Sequence, residues 1–362
     1  MNLHKEKMGI AIVGYGNMGS IFAEVIRKMR GVELLYVVGS NKEKVEKFVE
    51  DYEGCKACTK LDECLKDQKV KAVLITSPEK THKGYIQASL EAGKAVFCEK
   101  PLCLSSEETR NCYELAKKKG LLLMAAFNRR FDRSFSRVKE CLDKKTLGGE
   151  VPEMIKITSR DPTPPSTDGE NGGAVWRSMI HDFDMAVWLS GGQKAVNVHA
   201  VQPNPNSILS IISFEKGTVA TINYANSIKY GYDQRIEVHC AGGMMQIGNE
   251  TESTLQISNA LGKRNDELKS GFATRYSLAY ENEVNHFIDC LKNNKESSVK
   301  AEEVIAGAEI AESAMKCLNE KGKNNLKVPK LCPDLSLNCE KGKRLKKEIV
   351  NVILLGAGRM GK

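Results

Sequence analysis

Gly9-Ile10-Ala11-Ile12-Val13 runs directly into Gly14-Tyr15-Gly16-Asn17-Met18-Gly19, and a helical pattern follows from Ser20 to Met29. A short apolar run, a glycine-rich turn and an amphipathic helix form the opening of a βαβ unit. The spacing matches G-x-G-x-x-G. Gly14 permits the tight turn, Gly16 lets a ligand's pyrophosphate approach the backbone, and Gly19 lets helix pack on strand. Asn17 and Met18 then lie at the helix N-terminus, where main-chain N–H groups face an anion. Outside a strand–helix junction the motif is weak; here it predicts a dinucleotide site.

The same rhythm continues. Glu33 to Val38 and Lys42 to Tyr52 read as strand and helix, Val70 to Thr76 and Ala95 to Cys98 as strands with a helix over Tyr85 to Ala92 between them, and Leu121 to Ala125 as a further strand. Ser105, with Glu108 three residues on, predicts a capping box. A parallel, doubly wound sheet over residues 1–126 follows. From residue 127 the pattern changes to a helix (Ser134 to Lys144) and longer strands of period two: Met154 to Ser159, Ser207 to Phe214, Thr218 to Ala225 and Arg235 to Cys240. A helix from Ile180 to Leu189 is embedded among them, and two more (Tyr276 to Lys292, Ala301 to Glu320) close the region. The fold class expected is therefore α/β: an N-terminal Rossmann domain, 1–126, and a C-terminal α+β domain, 127–330, with a mainly antiparallel open-faced sheet. Residues 331–347 read as a basic linker. Residues 348–362, ending in Gly356-Ala357-Gly358-Arg359-Met360-Gly361, read as the truncated start of a second Rossmann-like unit.

Composition narrows the function classes. The net charge of +8 is concentrated in the tail: residues 321–347 carry nine Lys/Arg against Asp334 and Glu340, which leaves the body near neutral and argues against a nucleic-acid partner. No apolar run reaches the roughly 18 residues that span a bilayer, and the charged start Met1-Asn2-Leu3-His4-Lys5-Glu6-Lys7 is unlike a secretory signal. Twelve cysteines then read as reduced thiols of a cytoplasmic protein. Cys55-Lys56-Ala57-Cys58 lacks a second close pair or a histidine, so incidental thiols are expected and no metal.

Three further segments bear on chemistry. The second strand ends in Val38-Gly39-Ser40-Asn41-Lys42 with no acidic residue to hold a ribose hydroxyl, so Ser40 and Asn41 are the nucleotide-facing candidates and either NAD or NADP suits them; Lys42 reads equally as a solvated helix residue. Glu99-Lys100-Pro101 follows a strand at its carboxyl end, where ligands of open α/β sheets bind, although a helix-entry turn has the same composition. His181, followed by Asp182 and Asp184, is placed to accept a hydroxyl proton as hydride leaves, or to be a helix-capping or core histidine.

Together, Gly14 to Gly19, Thr76-Ser77-Pro78 with His82, Glu99-Lys100-Pro101 and His181-Asp182 resemble the glucose–fructose oxidoreductase/inositol dehydrogenase family over residues 8 to 320. Phe127-Asn128-Arg129-Arg130-Phe131-Asp132, Ser159-Arg160-Asp161-Pro162 with Pro164-Pro165, Gly231-Tyr232-Asp233-Gln234-Arg235 and Arg275-Tyr276 with Tyr280 make the inositol 2-dehydrogenase branch the nearest likeness. The resemblance implies hydride transfer from a secondary hydroxyl of a cyclic polyol or sugar to nicotinamide. Lys100 matches the family's active-site lysine and His181 its catalytic histidine. Thr76, Ser77, Pro78, His82 and Glu99 would flank the cofactor, and Asn128, Arg129, Asp161 and Tyr232 fall in segments that line the substrate cleft. A homodimer or homotetramer through the open sheet face is implied as well.

One position departs from the pattern. Relatives carry an aspartate four residues before the histidine, where this chain has Arg177. A helical turn would put Arg177 against the imidazole, weakening a base–acid relay. Alternatively its fork binds an anionic substrate group, or the turn shifts and it faces solvent. A catalytically impaired or non-catalytic NAD(P)-binding protein is thus the alternative to a dehydrogenase.

Overall fold

The computed structural model describes residues 7–163 and 173–320. Pro164, Pro165, Gly172 and the expected linker and second glycine unit at 331–362 lie outside the described residues. The first sheet is built from β1 (Met8–Val13), β2 (Val32–Val38), β3 (Lys56–Cys58), β4 (Val70–Ile75), β5 (Ala95–Glu99) and β6 (Leu123–Ala126). All neighbours pair in parallel, in the order β3-β2-β1-β4-β5-β6. Ile10 to Val13, Val73 to Ile75 and Val96 to Cys98 are buried at every position rather than at alternate ones. Helices cover both faces of the sheet, so these strands read as continuous apolar runs.

The helices are α1 (Asn17–Lys28), α2 (Lys42–Val49), α3 (Leu61–Leu65), α4 (His82–Glu91) and α5 (Ser106–Lys119). Ser105 caps α5, its hydroxyl accepting from Glu108 N at 3.1 Å. The expected capping box is only half made, because the Glu108 carboxylate turns to Lys83 Nζ at 2.9 Å. Cys55-Lys56-Ala57-Cys58 is not a free loop but forms edge strand β3, with Cys58 buried.

The second sheet has order β12-β11-β7-β10-β9-β8, from β7 (Met154–Arg160), β8 (Ala195–Asn204), β9 (Ser207–Phe214), β10 (Val219–Ala225), β11 (Asp233–Cys240) and β12 (Gly243–Ile247). It is antiparallel except between β7 and β10. Register puts Val238 beside Ile155, Ile155 beside Ala220 and Ala220 beside Ile212, a row buried throughout. The intervening row, Glu237, Lys156, Thr221 and Ile211, faces away from the helices. A period of two therefore separates a core face from an open face. On that open face Met154, Leu209, Ile211 and Met244 are exposed. A small hairpin, β13 (Gln256–Asn259) with β14 (Gly262–Asn265), lies apart.

Helices α6 (Arg133–Asp143), α7 (Ile180–Leu189), α8 (Phe272–Arg275), α9 (Ser277–Asn293) and α10 (Ala301–Asn319) complete the chain. α9 returns to the first sheet's helices: Tyr280 meets Phe22 edge to face at 6.1 Å between ring centroids, and Phe287 lies 5.5 Å from Phe97. That return brings Tyr280 and Glu283 into the field of Glu99 at the carboxyl end of β5.

Candidate active site

Gly14, Thr76, Glu99 and Asn128 all stand at or just past the carboxyl ends of parallel strands, beside the β1/β4 switch point where open α/β sheets bind ligands. The three motif glycines are needed for different reasons. Gly14 has φ of 101°, and a Cβ there would come 2.8 Å from the Thr76 carbonyl carbon. At Gly19 a Cβ would lie 2.2 Å from Gly14 O. At Gly16 nothing stands within 4 Å. The protein itself does not require glycine there; the open space fits a ligand that must touch the backbone. Gly16 begins α1, the first turn of which (Asn17, Met18) carries no acidic side chain, so its N–H groups and dipole are available to a pyrophosphate. Thr76 Oγ1 donates within 3.1 Å of Val13 O and Gly14 O and fixes the turn from below.

At the end of β2, Asn41 Oδ1 accepts from Lys44 N at 3.0 Å and caps α2. Gly39 underlies the Tyr15 ring, and Ser40 is exposed. Lys42 pairs with Glu46 at 3.8 Å in the solvated manner of an i,i+4 pair. Beyond β4, Ser77 Oγ lies 2.7 Å from Thr81 Oγ1, and Pro78 precedes a short 3-10 turn at Glu79–Thr81. His82 is buried with Nδ1 2.8 Å from Pro101 O and Nε2 2.8 Å from Ser77 O. Both ring nitrogens thus approach main-chain carbonyls, and His82 ties the two loops together. Burial holds its pKa down.

Glu99 ends β5 in the core; burial pushes its carboxyl up to about 7 against the pull of Lys100. Lys100 N donates to Glu99 Oε2 at 3.1 Å, and Lys100 Nζ donates to the Arg177 carbonyl at 2.6 Å. Burial first, then Arg129, lowers the lysine's pKa, while Glu99, Glu79 and Asp161 oppose the shift.

His181 stands in the first turn of α7. The turn before it, Val175–Met179, is π-helical. The imidazole meets Phe127 edge-on at 6.0 Å, and its Nδ1 is buried without a partner. Its pKa falls well below 6.5, through burial and then the positive charges of Lys100 and Arg129. His181 is therefore a neutral imidazole with a free ring nitrogen. Asp182 and Asp184 do not assist it: Asp182 pairs with Arg129, and Asp184 takes Arg130 bidentately at 2.9 and 2.6 Å. Arg130 also reaches Glu303 and stacks over Trp188.

Arg177 is where the helical-turn expectation fails. A π turn bonds i to i+5, so four residues no longer bring side chains onto one face. Arg177 Nε instead donates to Glu79 Oε1 at 2.8 Å. It is absent from the charges that set His181, a place taken by Lys100 and Arg129. Nor does it simply face solvent.

Asn128 and Arg129 are buried on a 3-10 turn, Asn128–Phe131, with Asn128 Nδ2 and Arg129 Nε unpartnered. Tyr232 bonds toward Arg129 and packs edge-on against Tyr276 at 6.0 Å. Asp161 is half-buried and accepts from Thr163 N at 2.8 Å, within reach of Lys100's field. Tyr276 Oη and Asp182 Oδ2 are also buried and unbonded. Native interiors rarely leave such groups unsatisfied. These four groups and the histidine's own Nδ1 leave five buried polar atoms unsatisfied in this part of the cleft. Among the described residues no cluster of three metal-ligating side chains occurs.

Residues 8–127 match an oxidoreductase family with an NAD-binding Rossmann fold, and residues 135–246 match the GFO/IDH/MocA C-terminal domain. The chain is 33% identical over 323 residues to the inositol 2-dehydrogenase of Rhizobium meliloti, covering 86% of this chain and 96% of that protein. The chain belongs to the GFO/IDH/MocA oxidoreductase family. A second member, the myo-inositol 2-dehydrogenase of Thermotoga maritima, is 33% identical, with 87% of this chain and 97% of that protein covered. The crystal structure of a myo-inositol dehydrogenase from Corynebacterium glutamicum superposes with a TM-score of 0.80 at 26% identity, over 87% of this chain and 97% of that one. The family's two-part architecture is thus the one built here.

Sequence reasoning missed Glu79 and Glu283. Glu79 shows itself only through the tertiary contact with Arg177. Glu283 left a signal: it lies on the same helical face as Tyr280, Val284 and Phe287, an acid in an apolar stripe. It is fully buried with both oxygens unpartnered, and burial, then the Glu99 carboxylate, push its pKa well above the usual carboxylate value.

Proposed function

We propose that this protein is an NAD-dependent dehydrogenase that removes hydride from a secondary hydroxyl of a cyclic polyol or sugar, inositol being the favoured class. The observation that carries the reading is His181: neutral, unpartnered at Nδ1, and set between Lys100 and Arg129 where buried polar groups await a ligand. Bound nicotinamide supplies the hydride acceptor. His181 takes the hydroxyl proton; Lys100, held to the Arg177 carbonyl, donates to the same oxygen and favours its ionised form. Once protonated, the imidazolium is repelled by Lys100 and Arg129, which drives the proton on to solvent. Asn128, Arg129, Asp161 and Tyr232 orient the remaining hydroxyls. Gly14, Gly16 and Gly19 with Asn17 and Met18 hold the pyrophosphate. Ser40 and Asn41 face the adenosine ribose, and NAD is favoured over NADP because Lys42 is engaged by Glu46.

This reading assigns nucleotide binding to residues 1–126 and substrate binding to residues 127–330, and places the protein in the cytoplasm. No helix among the described residues is long and apolar enough to cross a membrane. A homo-oligomer through the open face of the second sheet, with Met154, Leu209, Ile211 and Met244, belongs to the same reading. The test is the formation of reduced nicotinamide with inositols, aldoses and uronates at saturating cofactor. Turnover of an inositol, abolished in His181→Ala, is expected; silence with every polyol would favour the nucleotide-binding alternative that Arg177 first suggested.

A further inference from the structure

Outside the site just described, two buried thiols are in direct contact. Cys103 Sγ and Cys112 Sγ are 3.7 Å apart and both are buried. We propose that Cys103 and Cys112 are a peroxide-sensitive dithiol whose disulfide withdraws the Lys100 loop and lowers hydride transfer. The regulatory half of this inference rests on the dehydrogenase reading; the cross-link does not.

The two partners differ in freedom. Cys112 lies mid-helix in α5, which is anchored at its start: Ser106 N and Oγ each donate to Glu312 at 2.8 Å, and Arg110 pairs with Glu309 at 2.9 Å. Cys103 lies in the loop Pro101–Cys103, three residues past Lys100, whose Pro101 carbonyl is bonded to His82. In this proposal the anchored helix holds and the loop gives as the sulfurs close from 3.7 Å to a disulfide's roughly 2.05 Å. The displacement passes to Lys100 and to the His82 bridge.

Reactivity favours the same pair. The S–H of Cys103 and the ammonium of Lys83 draw the Cys112 thiol below its ordinary pKa, although burial opposes them. Cys55, Cys58 and Cys64, in contrast, are pushed up by burial to about 12, 11 and 12. Thiolate character is one condition for attack on peroxide and access the other; both thiols are buried, so the oxidant reaches them by local opening. In the first step the Cys112 sulfur attacks hydrogen peroxide, the O–O bond breaks, and a sulfenic acid and one water form. In the second, the Cys103 sulfur attacks that sulfur, the S–O bond breaks, and the disulfide and a second water form. Two thiols are oxidised by two electrons and one peroxide is reduced. A dithiol reductant reverses the change by exchange.

The experiment treats the reduced full-length protein with hydrogen peroxide and maps cysteines by alkylation and mass spectrometry. A Cys103–Cys112 cross-link, lost in Cys112→Ala and reversed by dithiothreitol, is expected. Along with it, kcat should fall about 10- to 100-fold, as for other small misplacements of an active-site group, with Cys112→Ala resistant. The proposal is overturned if both thiols stay free for alkylation while other cysteines oxidise. It is equally overturned if the cross-link forms completely and neither kcat nor NADH affinity changes. Should the reduced protein turn over no polyol, the functional reading fails, and the map together with NADH affinity still decides the dithiol.

Discussion

Arg177 Nε donates to Glu79 Oε1 across 2.8 Å, joining the turn before His181 to the loop after β4. The arginine is a strut between two walls of the cleft, while its carbonyl holds Lys100. A partly exposed pair of this kind contributes about 0–1 kcal/mol. Arg177→Ala should therefore leave the melting temperature nearly unchanged and raise KM more than it lowers kcat. Arg177→Asp places a second carboxylate against Glu79 and should bind substrate less well than Arg177→Ala; higher turnover than wild type, read by steady-state kinetics, would sink this account.

The glycines of the first turn separate folding from binding. Gly16→Ala meets nothing within 4 Å and should melt like the wild type, yet bind NADH at least about tenfold more weakly, since the methyl occupies the ligand's space. Gly19→Ala drives a carbon to 2.2 Å from Gly14 O and should cost about 1–3 kcal/mol in denaturant unfolding. Equal effects of the two on stability would contradict these assignments.

His181 and Glu99 give opposite pH dependences. The folded pKa of His181 lies well below 6.5, so below that pH the unfolded chain binds a proton that the folded one refuses, and stability is lost as pH falls. Glu99 is raised from 4.5 to about 7: its contribution is full below pH 4.5 and is lost as pH rises through 7. Thermal melts from pH 5 to 8, roughly the span of these two titrations, should show His181→Asn flattening the loss of stability on the acid side and Glu99→Gln flattening the loss as pH rises through about 7. The activity of the wild type should not titrate with an ordinary histidine above pH 6.5, because His181 is already neutral there; His181→Ala should lower kcat about 10²- to 10⁴-fold.

Glu283 provides an independent check on the buried acids. Because burial disfavours its charged form, Glu283→Gln, which carries no charge, should leave stability at neutral pH unchanged or higher. Glu283→Ala opens a cavity beside Tyr280 and should destabilise by about 1–3 kcal/mol in chemical denaturation. Marked destabilisation by glutamine alone would mean that the carboxyl is ionised and paired.

Most of the first half was legible because a parallel sheet announces itself through apolar runs and glycine chemistry that are local in sequence. Strand ends and helix starts around Gly14 and Ser105 fall within a few residues of expectation for that reason. The short elements β3 and α3 were hidden, since three to five residues carry no period, and the cysteines at 55 and 58 drew attention to thiol chemistry instead of strand pairing. The β7–β10 parallel contact could not be read from an alternating pattern, which fixes faces but not neighbours. His181 and Lys100 are brought into one electrostatic environment as their motifs implied. For Arg177 three directions were open in the sequence; the one drawn from an α-helical period fails because the chain there winds as a π turn. The pairing of Asp182 and Asp184 with Arg129 and Arg130 depends on where two distant segments cross, which no local pattern encodes.

That crossing has an evolutionary consequence. Arg129 and Arg130 are adjacent on one turn, and their partners Asp182 and Asp184 alternate on another, all four being buried. Removing one member of a buried ion pair costs about 3–5 kcal/mol, because its partner keeps an uncompensated charge. Single substitutions along this seam are therefore barred, and change is open only to coordinated replacements, with Glu303 drawn in wherever Arg130 is touched. The histidine that precedes Asp182 inherits that immobility: the surrounding segments can drift while the axis on which His181 is mounted stays locked.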